Sequence, residues 1–217
     1  MKHLVSILSI VLVGSISVQA QVSDKTLDFF VIENGMNYSS FDFSNSDSTS
    51  AFVNGNYSPQ QHHAIKVGGE LYKGLSFVLG ASFDKHRIMG DQIDSINTHF
   101  SYDINYVSAN IELQYSQPLA QNFEFIVHVG LSINKLCSGY QNLGSLTFDL
   151  LDTDFEDATS SYNSGVSLLY NYTPTLGFYL QLDSRRNINM FEAEETTETY
   201  FIHTYGIRLG ARLLLIK

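Results

Sequence analysis

Apolar and polar residues alternate along much of this chain, most regularly between positions 107 and 134. The odd positions of the first part are apolar: Val107, Ala109, Ile111, Leu113 and Tyr115. The even positions between them are polar: Ser108, Asn110, Glu112 and Gln114. After a proline-containing turn at 116–122, the alternation resumes from Phe123 to Asn134, where Ile126 is the one apolar residue on the polar face. Because successive side chains of a strand point to opposite faces, this period of two predicts a β-hairpin with one apolar and one polar face.

The same period recurs through the chain and predicts eight strands. They lie near residues 27–43, 62–72, 75–84, 98–115, 123–136, 166–172, 176–183 and 205–215. The connections between them alternate in length. The long ones are polar and cover 44–61, 86–97, 138–161 and 184–198, whereas the short ones cover 73–74, 116–122 and 173–175. Antiparallel neighbours joined in this way place every short turn at one end and every long connection at the other.

Short turns at one end and long connections at the other are the layout of a bacterial outer-membrane barrel. Charged residues on the polar faces could not fill the dry core of a soluble sandwich, but they can pair inside a narrow barrel. The apolar runs suit a tilted membrane strand of about 9–11 residues. Aromatic residues flank the short turns, as in an interfacial girdle: Phe77, Tyr115, Phe123, Tyr172 and Phe178. We predict an all-β, eight-stranded antiparallel up-and-down transmembrane β-barrel. A soluble lipocalin-type barrel, with the apolar faces inward, is the alternative.

Two of the predicted strands have irregular patterns. In strand four the apolar residues occupy even positions from Phe100 to Tyr106 and odd positions from Val107 onward. This change predicts a β-bulge inside the strand, a feature common at barrel rims. Strand one is interrupted by a polar and glycine break at 33–35. For that strand the pattern favours an arrangement in which Gly35 and Asn37 point into the barrel and Met36 and Tyr38 point outward.

The amino-terminal residues have the pattern of a secretory signal peptide. Met1-Lys2-His3 is positively charged, residues 4–18 are mostly apolar, and Val18-Gln19-Ala20 is a small-residue cleavage site. The apolar run is shorter than the roughly 20 residues of a spanning helix. We therefore expect a cleaved signal peptide over 1–20 and an outer-membrane barrel domain over 21–217, in a Gram-negative bacterium.

Composition excludes some classes of partner and bond. The chain has 22 acidic and 12 basic residues and a formal net charge of -10, so nucleic acid is not an expected partner. Cys137 is its one cysteine, which excludes an intramolecular disulfide. The expected surroundings are outer-membrane lipid.

Several segments resemble the PorT-like outer-membrane β-barrel family. They are Asn105 to Tyr115, Val129-Gly130-Leu131-Ser132, Asn34 to Tyr38 and Tyr205 to Gly210. The resemblance extends over essentially the whole mature chain, but it is one of pattern and includes no catalytic motif. It implies a small outer-membrane barrel, and it implies an accessory role in protein secretion as one function.

The polar faces bring charged residues into the predicted lumen. We expect an inward network of these side chains: Lys66, Glu70, Glu112, Glu124, His128, Asp183, Arg208 and Arg212. Two inward arginines on the last strand repel one another unless carboxylates neutralise them, and on the two neighbouring strands Asp183 and Glu33 have the inward parity to do so. The network should therefore have Arg208 and Arg212 at its centre. Barrels of this size are filled by side chains, which predicts a plugged lumen and not a wide channel.

Three groups of residues are candidates for catalytic or metal sites. His128 lies diagonal to Glu112 across the hairpin, but no nucleophile has a matching position, so we expect an interior hydrogen bond. His62 and His63 should point to opposite faces of a strand. The acidic residues from Asp149 to Asp157 lack the spacing and glycine of an EF-hand. No catalytic, cofactor-binding or metal site is therefore predicted.

The sequence thus favours a non-enzymatic outer-membrane protein that is structural or displays extracellular loops for binding. An extracellular or secretion-machinery protein is the expected class of protein partner. Two alternatives remain: an accessory component of protein secretion, as the PorT-like resemblance implies, and an outer-membrane hydrolase or acyltransferase.

Overall fold

A computed structural model of the chain describes residues 27–45, 58–90, 100–152, 158–188 and 198–215. The predicted signal peptide lies outside these ranges. The strands are β1 Phe29–Asn45, β2 Gln60–Tyr72, β3 Leu75–Gly90, β4 Phe100–Ala120, β5 Phe123–Leu143, β6 Leu146–Asp149, β7 Thr159–Asn171, β8 Leu176–Ile188 and β9 Glu198–Leu214. A short 3-10 helix, Leu150–Asp152, follows β6. In the described ranges no helix is long and apolar enough to cross a membrane.

Eight of the strands form a closed antiparallel ring in the order β1, β2, β3, β4, β5, β7, β8, β9, with β9 pairing back onto β1. The predicted eight-stranded antiparallel barrel is therefore confirmed. The additional strand, β6, pairs with residues 140–143 of β5 and forms a hairpin at the end of the long connections. The predicted third long connection thus contains strand structure of its own.

The ring is staggered, as a tilted barrel must be. Following paired residues once round the ring from Phe29 leads back to β1 at Ser39, ten positions further along. The intermediate residues are Gly68, Val78, Glu112, Gly130, Asn163, Arg185 and Thr204. A stagger of this kind requires the strands to tilt, and eight strands enclose a lumen that side chains can fill.

The apolar face of the strands points outward. On β4, the side chain of Ile111 is 51% exposed, whereas Ser108 is 1% exposed. On β1, Asn37 is buried and Met36 is exposed, as the sequence predicted. The lipocalin-type alternative is therefore wrong, because the surface that contacts the surroundings is the apolar one.

The β-bulge predicted within strand four is present in the pairing of β4 with β5, between Asn105 and Tyr106, but the extra residue is not on strand four. Ile104 and Tyr106 are buried in the lumen, on the same face of β4 as Ser108. The residue without a partner at this shift is Cys137 of β5, and a second shift occurs near the short turn, between Pro118 and Ala120 of β4. The apolar residues change parity because the inside of the barrel becomes apolar near the long connections, while its outside becomes polar.

The interior consists of three layers. A lower apolar cluster lies towards the short turns: Phe29, Val31, Val78, Ile126, Leu169 and Tyr179. An upper apolar cluster lies towards the long connections: Ile88, Ile104, Tyr106, Leu136, Leu150 and Ile202. Charged and polar side chains occupy the space between them. Leu150, from the short 3-10 helix, is 1% exposed, so the third long connection contributes to the upper cluster.

The ring strands are 13 to 21 residues long. The outward-facing apolar residues, such as Ile111, form a band around the barrel that we call the apolar belt. On the side of the long connections the strands continue beyond this belt. β3 runs to Gly90 and β5 to Leu143, further than the predicted ends near 84 and 136. About 9–11 residues suffice to cross a bilayer, so the remaining pairs form a wall outside the belt.

Replacing Ile111 with Arg should lower the free energy of unfolding in lipid vesicles by about 2–4 kcal/mol, because the guanidinium would face the acyl chains near mid-strand. Ser108→Ala, on the opposite face, should have a much smaller effect. Denaturant titration of vesicle-inserted protein measures both. In a background without Cys137, a cysteine at position 111 should be accessible to a lipid-soluble reagent and one at 110 should not. The opposite labelling pattern would contradict the assigned facing.

Candidate functional site

Arg208 joins three strands at the middle of the lumen. It faces inward from β9, and its Nε and Nη2 donate to the two carboxylate oxygens of Asp183 on β8, with Nη2 at 2.7 Å from Oδ2. Its Nη1 donates to Oε1 of Glu33 on β1 at 3.3 Å. A Cβ at Gly206 would lie 2.5 Å from Oδ1 of Asp183, so the absence of a side chain there leaves room for this bidentate pair.

Glu33 is fully buried and receives donors from several strands. The Tyr179 hydroxyl donates to its Oε2 at 2.5 Å, and the Nζ of Lys66 lies 3.2 Å from the same oxygen. Lys66 also donates to Oε1 of Glu112 at 3.0 Å. Through Glu33 and Lys66 the network therefore extends from β9 across β1 and β2 to β4.

His62 connects Glu33 to a second buried carboxylate, Asp84 on β3. Its Nδ1 lies 2.6 Å from Oδ1 of Asp84 and its Nε2 lies 2.8 Å from Oε1 of Glu33. Arg185 donates to Oδ2 of Asp84 at 3.0 Å, and Asn37 donates to Oδ1 at 2.9 Å. Every oxygen of Asp84 is thus bonded. We call these linked charged residues the central ionic network: Glu33, His62, Lys66, Asp84, Glu112, Asp183, Arg185 and Arg208.

Charge in the central ionic network is close to balance. Among the described residues, the buried carboxylates are Glu33, Asp84, Glu112 and Asp183, and the buried permanent cations are Lys66, Arg185 and Arg208. Unpaired charge is costly away from water, so this balance is what permits burial. His62 lies between two of the carboxylates, and its Nε2 also contacts Nη1 of Arg208.

A chain of small polar side chains lines the opposite wall. It begins at Asp84, which accepts from Ser82 at 2.8 Å, and continues through Asn110 and Ser132 to Asn163 across β4, β5 and β7. The chain ends at a buried Oδ1 of Asn163, which has no hydrogen-bond partner among the described residues. At this height of β5 and β7 the inward side chains are therefore neutral and form hydrogen bonds in place of ion pairs.

Some of the predicted lumen residues lie outside the central ionic network. Arg212 is four positions from Arg208, about 13 Å along the strand, and so lies near the short turns. There its Nη2 is 3.7 Å from Oε1 of Glu124, and its guanidinium lies over the Phe29 ring at 5.3 Å. The expectation that both arginines share one centre is wrong.

Glu70 also lies outside the lumen network. It is exposed beside the first short turn, where the pairing of β2 with β3 shifts, and it accepts from the Gly74 amide at 2.7 Å. With Arg212 and Glu124 it lines an open cavity of about 750 Å³ at this end of the barrel. The lower apolar cluster forms the inner end of that cavity, because Phe29 lies in its wall.

The expected hydrogen bond between His128 and Glu112 is not formed. Glu112 bonds Lys66 and accepts from Gln114 at 3.1 Å, and Nδ1 of the buried His128 has no partner within the described part of the chain. His62 and His63 point to opposite faces, as predicted, with His62 buried and His63 exposed against Asn34. Across the described ranges, no group of three or more metal-binding side chains could hold an ion. Asp154, Glu156 and Asp157 lie outside these ranges.

Sequence reasoning missed four members or close partners of the network: His62, Asp84, Tyr179 and Arg185. The signal that could have identified them is strand parity. His62 is four positions before Lys66, and Arg185 is two positions after Asp183, so each shares the inward face of a residue already assigned to the lumen. The fourth long connection is predicted from residue 184, but β8 continues to Ile188, so Arg185 fell within a predicted connection although it lies on a strand.

No family model and no curated protein matches this chain. Several solved structures share its fold. Neisserial surface protein A covers 86% of this chain and 97% of its own at 13% identity and a TM-score of 0.49. Outer membrane protein OprG from Pseudomonas aeruginosa is 11% identical over 88% of this chain and 97% of its own, with a TM-score of 0.53. A major outer membrane protein from Thermus thermophilus is 16% identical over 88% of this chain and 100% of its own, with a TM-score of 0.50. The last two show that the chain has the fold of small outer-membrane β-barrel proteins.

Replacing Arg208 with Met should destabilise the folded barrel by about 3–5 kcal/mol, because Asp183 and Glu33 would keep buried charge without their main cation. Arg212→Met is the matched control on the same strand and face. Its partner is partly exposed, so the loss should be much smaller. The temperature at which each variant loses its folded mobility in a gel-shift assay compares them. If both variants lost their folded mobility at the same temperature, Arg208 would not be a main source of stability in the lumen.

Proposed function

We propose that this chain is an integral protein of the bacterial outer membrane, exported by a signal peptide over 1–20, with a closed lumen and no catalytic role. On this proposal the barrel is a rigid anchor that presents its long connections for binding. The observation that carries it is the combination of an apolar outer face with an interior filled by three layers of side chains.

The interior supports a closed lumen. An ion entering from the short turns would first meet the lower apolar cluster, then ion pairs in which each carboxylate already has a cation within 3.3 Å. The upper apolar cluster, with Leu150 inside it, lies beyond. Displacing these groups would require separating buried charges, which is costly in a low-dielectric interior.

The same saturation argues against an enzyme. General acid–base chemistry requires a titratable group within hydrogen-bond reach of a substrate. The oxygens of Glu33 and Asp84 are occupied by interior donors, and His128 is buried between the two apolar clusters. The hydrolase or acyltransferase alternative therefore has no supporting geometry among the described residues.

The end with the long connections supports a binding role. The β5–β6 hairpin stands above the apolar belt and exposes three large side chains to the surroundings: Tyr140, Leu146 and Phe148. Exposed apolar residues outside the lipid are a feature of protein contact sites. The resemblance to PorT-like barrels supports a narrower proposal, in which the bound protein belongs to a secretion machinery. Loss of secretion in a deletion strain, restored by wild type but not by Leu146→Ser with Phe148→Ser, is the test.

Wild-type protein should give negligible current in planar bilayers, since the filled lumen leaves no aqueous path. A large porin added to the same membrane provides the positive control. Steady single-channel currents of porin size from fully inserted wild-type protein would refute the closed lumen.

Replacing His128 with Gln should leave every biological activity intact, because we assign His128 a packing role. Lipid and peptide hydrolysis by protein reconstituted in vesicles should not exceed that of empty vesicles, for either wild type or variant. Hydrolysis by the wild type that disappears in the variant would overturn the non-enzymatic assignment.

A further inference from the structure

Two polar side chains lie on the outer surface of the barrel, within the apolar belt. Asn34 of β1 is exposed between Ile32 and Met36, which are 46% and 53% exposed on the same strand. His63 of β2 pairs directly with Asn34 and is also exposed. The next outward residue on that strand, Ile65, is 56% exposed. Both polar side chains therefore face the region that acyl chains would occupy.

The two side chains form one hydrogen bond with each other. Nδ1 of His63 lies 2.6 Å from Oδ1 of Asn34. An amide oxygen only accepts, so Nδ1 is the donor, and Nε2 of a neutral imidazole is then an acceptor. Nδ2 of Asn34 has two further N–H donors. Among the described residues, neither these donors nor Nε2 has a hydrogen-bond partner. The core of a bilayer contains no water that could replace one, so both groups are costly there unless another molecule bonds them.

The unpaired groups are complementary to a second copy of themselves. About a two-fold axis along the membrane normal, the same surface of two copies meets at equal height. The ring is staggered by ten residues over eight strands, so residues paired across neighbouring strands differ in height by about one residue. Asn34 and His63 are such a pair. Nδ2 of Asn34 in each copy can therefore donate to Nε2 of His63 in the other copy, which forms two equivalent hydrogen bonds.

Polar side chains within the belt lie on one side of the barrel. A second exposed pair, Ser164 of β7 opposite Ser184 of β8, lies on the side that extends from β7 through β9 to β2. On the other side, the described outward residues at the height of Asn34 are apolar: Ala81 of β3, Ile111 of β4 and Leu131 of β5. Polar residues at membrane depth face protein far more often than lipid. The side that contains β1 and β2 is therefore the one that suits contact with another protein.

We propose that two copies of this chain associate in the membrane through β1 and β2, with Asn34 and His63 at the centre of the contact. The inference rests on the proposed membrane location and adds a partner to it. A second copy is favoured over lipid because acyl chains have neither donors nor acceptors. It is favoured over a different membrane protein because the free donors and the free acceptor of the pair match one another. The ring is closed, so side chains and not strand edges must form this contact.

Fluorescence resonance energy transfer in phosphatidylcholine vesicles tests the association. The full chain is labelled at its one cysteine, Cys137 on β5, with a donor dye in one sample and an acceptor dye in another. Transfer between the mixed samples should rise with the protein-to-lipid ratio and should be linear in the acceptor fraction, as for a complex of two copies. Unlabelled wild type should compete with it.

The double variant Asn34→Leu, His63→Leu should raise the dissociation constant on the order of tenfold, as the loss of two hydrogen bonds between membrane segments would. Both side chains point away from the lumen, so the variant should still fold. Leu131→Ala is the matched control, because Leu131 faces lipid at a similar height on the opposite side of the barrel. It should leave the dissociation constant unchanged.

Flotation with the vesicles and heat-modifiable gel mobility establish that each variant is inserted and folded. A wild type that does not insert would refute the proposed membrane function itself. An inserted wild type whose transfer does not exceed that of randomly distributed chains would overturn the association alone, and so would transfer that curves with the acceptor fraction, since that indicates a larger assembly. A folded double variant that associates as tightly as wild type, or an equal loss in Leu131→Ala, would overturn the assignment of the contact to Asn34 and His63.

Discussion

Closure of β1 onto β9 is the constraint on which the rest of the structure depends. In a bilayer no water satisfies an open strand edge, so the first and last strands must pair along their whole length. Here the pairing extends from Phe29 to Asn45 of β1. Arg208 reinforces that seam from within, because its guanidinium bonds Glu33 on β1 and Asp183 on β8. Gly35 opposite Arg208 makes this possible, since a Cβ there would lie 2.9 Å from the Cγ of Arg208.

The environment on each side of the strands changes along the barrel axis, and the side chains change with it. At mid-height the outside is apolar and the inside is charged. Towards the long connections the outside is polar, with Lys85 and Lys135, and the inside is apolar, with Ile88 and Ile104. Beyond the lipid the barrel therefore has the ordinary arrangement of a water-soluble protein. This second core supports the β5–β6 hairpin, which would otherwise extend from the barrel without packing.

A closely paired ionic network and a binding surface are complementary properties of one molecule. Each carboxylate of the central ionic network has a cation partner, and among the described residues only Nε of Arg185 in the network is buried without one, so the network offers little to a passing solute or substrate. What remains available for interaction lies outside the lumen: the apolar belt and the hairpin with Tyr140 and Phe148. Such an arrangement suits a protein whose partners are lipids at its side and a macromolecule at its exposed end.

The sequence by itself determined the strand count of the ring, the outward face of segments such as 107–115, and the inward placement of Lys66, Glu112, Asp183 and Arg208. A strict period of two suffices for these, because burial follows directly from parity. Only the tertiary structure decided that Tyr106 faces inward, that His62 joins Glu33 to Asp84, and that Arg212 lies apart from Arg208. Those outcomes depend on the stagger and closure of the ring, which set the height of each residue relative to distant strands. Parity specifies the face of a strand and contains no information about height, so partners far apart in sequence became visible only once the barrel was closed.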